Sequence, residues 1–330
     1  MDDGPFLVMF LGTPEWVWLV FAGVVAVLLF LDLGVLHRSQ REIGVRESLM
    51  FSGGYIAVSL LFGLFVWHVL GPDDGMDFYT GYIIEKSLSI DNIFVMAIIF
   101  SALNIPRKYQ HRVLFWGIIG VIILRGVMIG VGAELVERFE WLLYFFAAFL
   151  IFTGFKLLFS KDSGDHSGAV QDNPVIRYLR GHVNVSDQLH DQKFFVRLPS
   201  RKDARKMALY ITPLLLALIT VELADVVFAV DSVPAIFAIT TDPYIVYTSN
   251  IFAILGLRSL YFALAAMIER FAYLKYALAL VLIFIGGKVF ATPLLGMDKF
   301  PSWISLGVTL AILAGGIIVS LIKTKDAVKR

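Results

Sequence analysis

Long apolar stretches, interrupted by short charged connections, run through almost the whole chain. A helix that crosses the hydrocarbon core of a bilayer needs about 20 mostly apolar residues. Nine segments meet that requirement: residues 16–36, 49–70, 78–102, 113–133, 141–159, 207–240, 245–268, 274–291 and 303–322. The pattern predicts an all-α, polytopic membrane protein of about nine transmembrane helices. The sixth segment is longer than one straight crossing needs and contains Pro234. Proline has no backbone N–H, so a kinked or interrupted helix is expected there.

Composition agrees and removes several function classes. Of 330 residues, 58% are hydrophobic and only 17% charged, against about 25% charged in a soluble domain. Mean hydropathy is +0.78. Cysteine is absent, so disulfides, thiolate metal sites and thiol redox chemistry are excluded. There is no G-x-x-x-x-G-K-[ST] run for a single-chain ATP-driven pump, and no dinucleotide fingerprint. No paired histidines lie within the spans to ligate haem. The net charge of +1 says little about partners, and no nucleic-acid partner is expected. The start, Met1-Asp2-Asp3, is acidic where a signal peptide would be basic, so the first segment is expected to be a retained span.

Positively charged loops set the expected orientation. Connections after odd-numbered spans hold Arg38, Arg41 and Arg46, then Arg107, Lys108 and Arg112, then the long segment 160–206, then Arg270 and Lys275. The tail holds Lys323, Lys325, Lys329 and Arg330. The other side offers Arg138 and Lys299 among many acids, including Asp73, Asp74, Glu134, Glu137 and Asp242. The N-terminus is therefore expected outside and the C-terminus in the cytoplasm. Segment 160–206 reads as a solvated cytoplasmic linker. Its His166, His182 and His190 lack tight metal-ligand spacing.

The chain also repeats itself. Glu85-Lys86-Ser87-Leu88-Ser89-Ile90-Asp91-Asn92 in span three is echoed by Asp225-Val226-Val227-Phe228-Ala229-Val230-Asp231-Ser232 in span six. Arg125 and Arg258 occupy spans four and seven, and Glu137-Arg138-Phe139 is echoed by Glu269-Arg270-Phe271. The run from Leu150 to Lys156 is echoed from Leu282 to Lys288. Each unit holds three spans, an odd number, so the second unit enters from the opposite side. This predicts two inverted three-helix repeats, the arrangement in which secondary transporters hold substrate near the midplane. The expected divisions are 1–77 (helices one and two), 78–159 (unit one), 160–206 (linker), 207–291 (unit two) and 292–330 (helix nine and tail).

Spans three and six carry Glu85, Asp91, Glu222, Asp225 and Asp231. A carboxylate at the membrane centre costs about 2.5–3.5 kcal/mol even on the mild insertion scale, so five represent on the order of 10 kcal/mol. Such a set implies a cation, either a bound metal or structural counter-ions. Lys86, Arg125 and Arg258 are the candidate counter-charges or gating residues. A purely structural ion-pair network and a scaffold role are the competing readings. At 100° per residue, Glu85, Ser89 and Asn92 share one helix face, as do Glu222, Asp225 and Ser232. Asp91 and Asp231 point elsewhere on an ideal helix and would converge only where it is unwound. Carboxylate, amide and hydroxyl oxygens suit Mg²⁺, Ca²⁺ or Mn²⁺. The candidate metal ligands are Glu85, Asp91, Asn92, Glu222, Asp225, Asp231 and Ser232. A secondary transporter, not an enzyme, is expected, with no tightly bound cofactor. Its partners would be the lipid bilayer, a divalent metal ion and protons as coupling ion.

The runs EKSLSIDNIFV (85–95) and VELADVVFAVDSVPA (221–235) resemble the TerC family, the runs TDPYIVYTSNIFAILGL (241–257) and 269–276 resemble its Alx branch closely, and the linker run VIRYLRGH (175–182) shares in the resemblance. The resemblance covers nearly the whole chain. The family is named from tellurite resistance, and the resemblance implies manganese export across the bacterial cytoplasmic membrane. The Alx branch also carries the label of a membrane-bound redox modulator, which is the alternative function. The family's acidic motif positions fall on Glu85, Asp91, Glu222, Asp225 and Asp231.

Overall fold

The computed structural model describes residues 9–36, 45–139, 141–159, 183–186, 188–199, 207–264, 274–297 and 300–327. A small hairpin of β1 (Met9–Phe10) and β2 (Thr13–Pro14) leads into α1 (Glu15–Leu36), α2 (Val45–Val69), α3 (Pro72–Ala102), α4 (Arg107–Arg138) and α5 (Trp141–Phe159). A second hairpin, β3 (Phe195–Pro199) with β4 (Met207–Ile211), precedes α6 (Pro213–Phe237). Then follow α7 (Pro243–Leu255), α8 (Leu257–Leu264), α9 (Leu274–Leu294) and α10 (Ser302–Ala327). The protein is all-α and polytopic. Among the described residues seven helical stretches are long and apolar enough to cross a membrane, α7 and α8 counting as one. Helix α3 falls outside that group because Glu85, Lys86 and Asp91 interrupt its apolar run.

Local chemistry sets where the helices begin. Proline stands in the first turn of α3, α6 and α7, where its missing N–H costs nothing and its fixed φ favours the helix. At α7 the Asp242 carboxylate accepts from the backbone N–H groups of Tyr244 and Ile245, an N-cap. Gly71 sits at φ 120° before α3, a conformation open to glycine.

Three sequence expectations change. Residues 207–211 are a strand, so the sixth span begins at Pro213. The reason is visible in alternation: Met207 and Leu209 face out while Tyr210 is buried, a period of two that a helix cannot match. Nor is α6 interrupted at Pro234. That residue lies one turn from the helix end, and its carbonyl still accepts from the Ala238 N–H. The seventh segment, expected as one helix, is divided at Gly256.

Outward-facing Leu19, Phe30, Ile123, Val127, Val227 and Leu294 leave an apolar surface over the helices, the surface a bilayer covers. Inside, α5 and α9 pack together through two glycines. A Cβ at Gly154 would stand 2.8 Å from the Ala279 carbonyl oxygen and 2.6 Å from Ile283 Cγ1. A Cβ at Gly286 would stand 2.5 Å from the Ala147 carbonyl oxygen and 2.8 Å from Ile151 Cγ1. The contact is reciprocal: the residues seven and three before each glycine meet the other glycine, so the helices run antiparallel. These are the matched third helices of the two sequence units. Small residues allow such backbone approach in membranes, where packing drives association.

Replacing Gly154 or Gly286 with valine is expected to cost about 1–3 kcal/mol by overpacking. Gly287→Ala, which meets nothing within 4 Å, should be neutral. Unfolding of the detergent-solubilised protein checks both.

Candidate functional site

Four helices, α3, α4, α6 and α7, surround a polar network buried in the bundle. Its hub is Arg125 on α4, only 1% exposed. Arg125 Nε donates to Asp225 Oδ2 at 3.1 Å and Nη2 to Asp225 Oδ1 at 3.2 Å, a two-pronged pairing with one carboxylate. Nη1 donates to Glu85 Oε1 at 2.8 Å, Ser232 Oγ at 2.9 Å and Asn250 Oδ1 at 3.2 Å. Three acceptors share the two hydrogens of that nitrogen. Asn92 Nδ2 completes the ring by donating to Asp225 Oδ1 at 3.2 Å.

The periodicity of each helix places these groups. On α3, Glu85, Ser89 and Asn92 are all buried, so the face expected from sequence is the inward one. On α6, Asp225, Ser232 and Val233 point in, while Leu223, Val227 and Val230 point out. The two helices meet in antiparallel order, Asn92 at Asp225 and Glu85 with Ser232 on the same Arg125 nitrogen. Glu85 matches Asp225, and Asn92 matches Ser232, in the repeated motif. Each position therefore finds the partner of its counterpart, as at the α5–α9 contact.

Glu222 goes elsewhere. Its carboxylate lies in a notch that Gly117 and Gly120 leave on α4, and a Cβ at Gly120 would collide with it. Neither Glu222 oxygen has a hydrogen-bond partner among the described residues, although both atoms are buried. Glu85 Oε2 and Asn250 Nδ2 are in the same condition. Lys86 turns from the acids: its Nζ donates to the Ala253 carbonyl at 2.9 Å, beside Gly256. Asp91 and Asp231 lie in the helical runs of α3 and α6, but their side chains, like that of Arg258, fall outside the described residues. So does the run Glu269-Arg270-Phe271. Among the described residues no three Asp, Glu or His side chains form a metal-binding group.

Sequence reasoning missed Asn250 and the glycine notch. Asn250 is fully buried in α7, and its signal was an amide closing the polar run Thr248-Ser249-Asn250 within a mostly apolar span. The notch had no signal, because spacing does not say which helix a side chain will meet.

Charge does not balance here. Glu85 and Asp225 share Arg125 alone, and even with Lys86 counted, Glu85, Asp225 and Glu222 outnumber the cations of this region by one among the described residues. Apolar layers close the network at both ends. Ile129, Val233, Ile236 and Phe237 pack on one side, with Phe237 pressed on Gly132. Beyond them opens a cavity of about 1120 Å³, edged by Glu134, Glu137, Thr240 and Lys288. On the other side Val121, Leu114, Phe100 and Leu214 pack together.

Residues 70–328 match the model of the family described as integral membrane protein TerC family. An "Uncharacterized membrane protein" of Rickettsia bellii is 48% identical over 95% of this chain and 99% of its own. "Uncharacterized membrane protein STKORF319" of Myxococcus xanthus is 46% identical, over 96% of this chain and 95% of its own. "Putative membrane-bound redox modulator Alx" of Escherichia coli is 44% identical, over 94% of this chain and 95% of its own. No solved structure matches.

Removing one side of a buried ion pair strands the other, at a cost of about 3–5 kcal/mol. Arg125→Met is therefore expected to destabilise the protein by that amount. Glu222→Gln, which breaks no hydrogen bond among the described residues, should cost little. Thermal unfolding of both variants in detergent makes the comparison.

Proposed function

The chain belongs to the TerC family of integral membrane proteins, and from that premise we propose that it is a secondary transporter of divalent metal ions, exporting Mn²⁺ across the bacterial cytoplasmic membrane. The observation that carries this reading is the placement of Arg125. One guanidinium fills the space between two buried carboxylates that come from matched, antiparallel helices. It holds the position a cargo cation would take, and it leaves acid in excess.

In this reading Glu85, Asp225, Asn92 and Ser232 form the inner shell. Asp91 and Asp231 complete it when the helices rearrange, and Glu222 offers a holding point one turn along α6. The donors are carboxylate, amide and hydroxyl oxygens, a set suited to a hard cation such as Mn²⁺. Arg125 leaves when the metal arrives and returns when it departs, so the acids are never left uncompensated in a medium that penalises bare charge. Arg258 is the matched counter-charge of the second unit, and Lys86 gates from its seat on the Ala253 carbonyl. Carboxylates must be deprotonated to bind metal, which favours protons as the coupling ion. The N-terminus lies outside and the C-terminus in the cytoplasm, so the cavity beside Phe237 opens outward. Alternating access then consists of opening one apolar layer while the other stays shut, by rocking one three-helix unit on the other.

A second reading has one specific support, the name of the Escherichia coli relative, which describes a redox modulator. In a cysteine-free chain such a role needs a redox group brought from outside.

Mn²⁺ flux into proteoliposomes of the full chain separates the two. Wild type is expected to move Mn²⁺ under a pH gradient, and Asp225→Asn to slow it about 10- to 100-fold, the worth of one charged contact. Normal flux in Asp225→Asn would remove its ligand role. No wild-type flux under gradients of either sign would favour the redox reading.

A further inference from the structure

The second hairpin has one face that stands exposed among the described residues. Directly opposed residues of an antiparallel pair share a face, and neighbours alternate. The register Phe195 to Ile211, Arg197 to Leu209 and Pro199 to Met207 therefore puts all six side chains on one side. Ile211 at the base is buried and bonded to the segment 184–186, but Phe195, Met207 and Leu209 are 53%, 63% and 57% exposed. The opposite face, Val196, Leu198, Ala208 and Tyr210, is turned inward or partly covered. An apolar face left in water on a two-stranded ribbon invites association, so something covers it.

Tethering keeps the ribbon at the bilayer. Strand β4 runs into α6 after a single residue, Thr212. The Thr212 N–H donates to the Phe194 carbonyl at 3.0 Å, and its hydroxyl to the Lys193 carbonyl at 2.7 Å. Phe194 is in turn held under the Arg112 guanidinium, 5.0 Å from the ring centre, at the start of α4. Leu209 is four residues from the start of a span, a reach of no more than about 13 Å. Exposed cations ring the same end: Arg107 and Lys108 on α4, Lys193, and Arg197 within the apolar face itself. The connection 200–206 reads SRKDARK, four cations against one acid.

We propose that this hairpin is a membrane-surface anchor: Phe195, Met207 and Leu209 enter the interface of the adjacent leaflet, and Arg197 with its neighbours binds anionic phospholipid headgroups. Apolar insertion and attraction to anionic lipid act together at such surfaces. Because β4 continues into α6, lipid that seats the ribbon also fixes the entry of the helix carrying Asp225. The proposal does not depend on the cargo.

A chain without cysteine accepts a single nitroxide cleanly. The label is placed on Leu209→Cys, and on Asp191→Cys as the exposed comparison. Power-saturation EPR with oxygen and the neutral relaxant NiEDDA then reads depth for the full chain in vesicles. In phosphatidylcholine–phosphatidylglycerol vesicles the 209 label is expected to be oxygen-accessible and shielded from NiEDDA, while the 191 label stays in water. Arg197→Gln should shift the 209 population about fivefold towards water, the worth of one cation at an anionic surface. A 209 label as open to NiEDDA as the 191 label would overturn the proposal. Equal shielding in pure phosphatidylcholine would overturn the anionic-lipid assignment. Shielding that persists in detergent and rises with protein concentration would assign the face to a second copy of the chain instead.

Discussion

The guanidinium of Arg125, forked onto Asp225 and bonded to Glu85, is the interaction on which the centre of this protein rests. Carboxylates within a span are costly unless a cation stands beside them. One buried arginine compensates two of them and also binds Ser232 and Asn250, so four helices are tied through one side chain. A buried ion pair is seldom the most stable filling for a core, since apolar residues of similar volume often do as well. Its presence calls for a purpose other than stability. The proposed exchange of Arg125 for a cargo cation would supply one.

Symmetry gives the arrangement its economy. The α3–α6 and α5–α9 contacts both pair matched positions in antiparallel order. Two acids from equivalent places thus arrive together at one point without either helix being broken. Arg125, from the first unit, stands between them. Apolar layers above and below keep water from the network, which strengthens every charge interaction within it. The cavity beyond Phe237 lies on one side of the network, and the Glu222 carboxylate, which has no hydrogen-bond partner among the described residues, lies on the other.

Much of this was legible in the sequence because the bilayer imposes simple rules. Apolar run length located the helices, and 100° periodicity identified the inward face carrying Glu85, Ser89 and Asn92. The repeated motif singled out Asp225 and Ser232 as their counterparts. Where the reading stopped, the deciding physics was tertiary. Nothing local announces that Glu222 fits a notch made by Gly117 and Gly120, or that Lys86 reaches a carbonyl on α7 in place of a carboxylate. Asn250 was visible only as the end of a short polar run in a mostly apolar span. Residues 207–211 were absorbed into a span because hydropathy outweighed their alternation, although Met207, Leu209 and Ile211 stand two apart as a strand requires. Pro234 suggested a break that its place in the last turn makes unnecessary.

The central claim is that Arg125 and the transported ion compete for the same carboxylates. Anomalous scattering at the manganese edge, from crystals of the protein grown with Mn²⁺, tests it directly. The account predicts a manganese peak within bonding distance of Glu85 and Asp225, with the Arg125 side chain withdrawn from both. A peak elsewhere, with the guanidinium still forked onto Asp225, would contradict it.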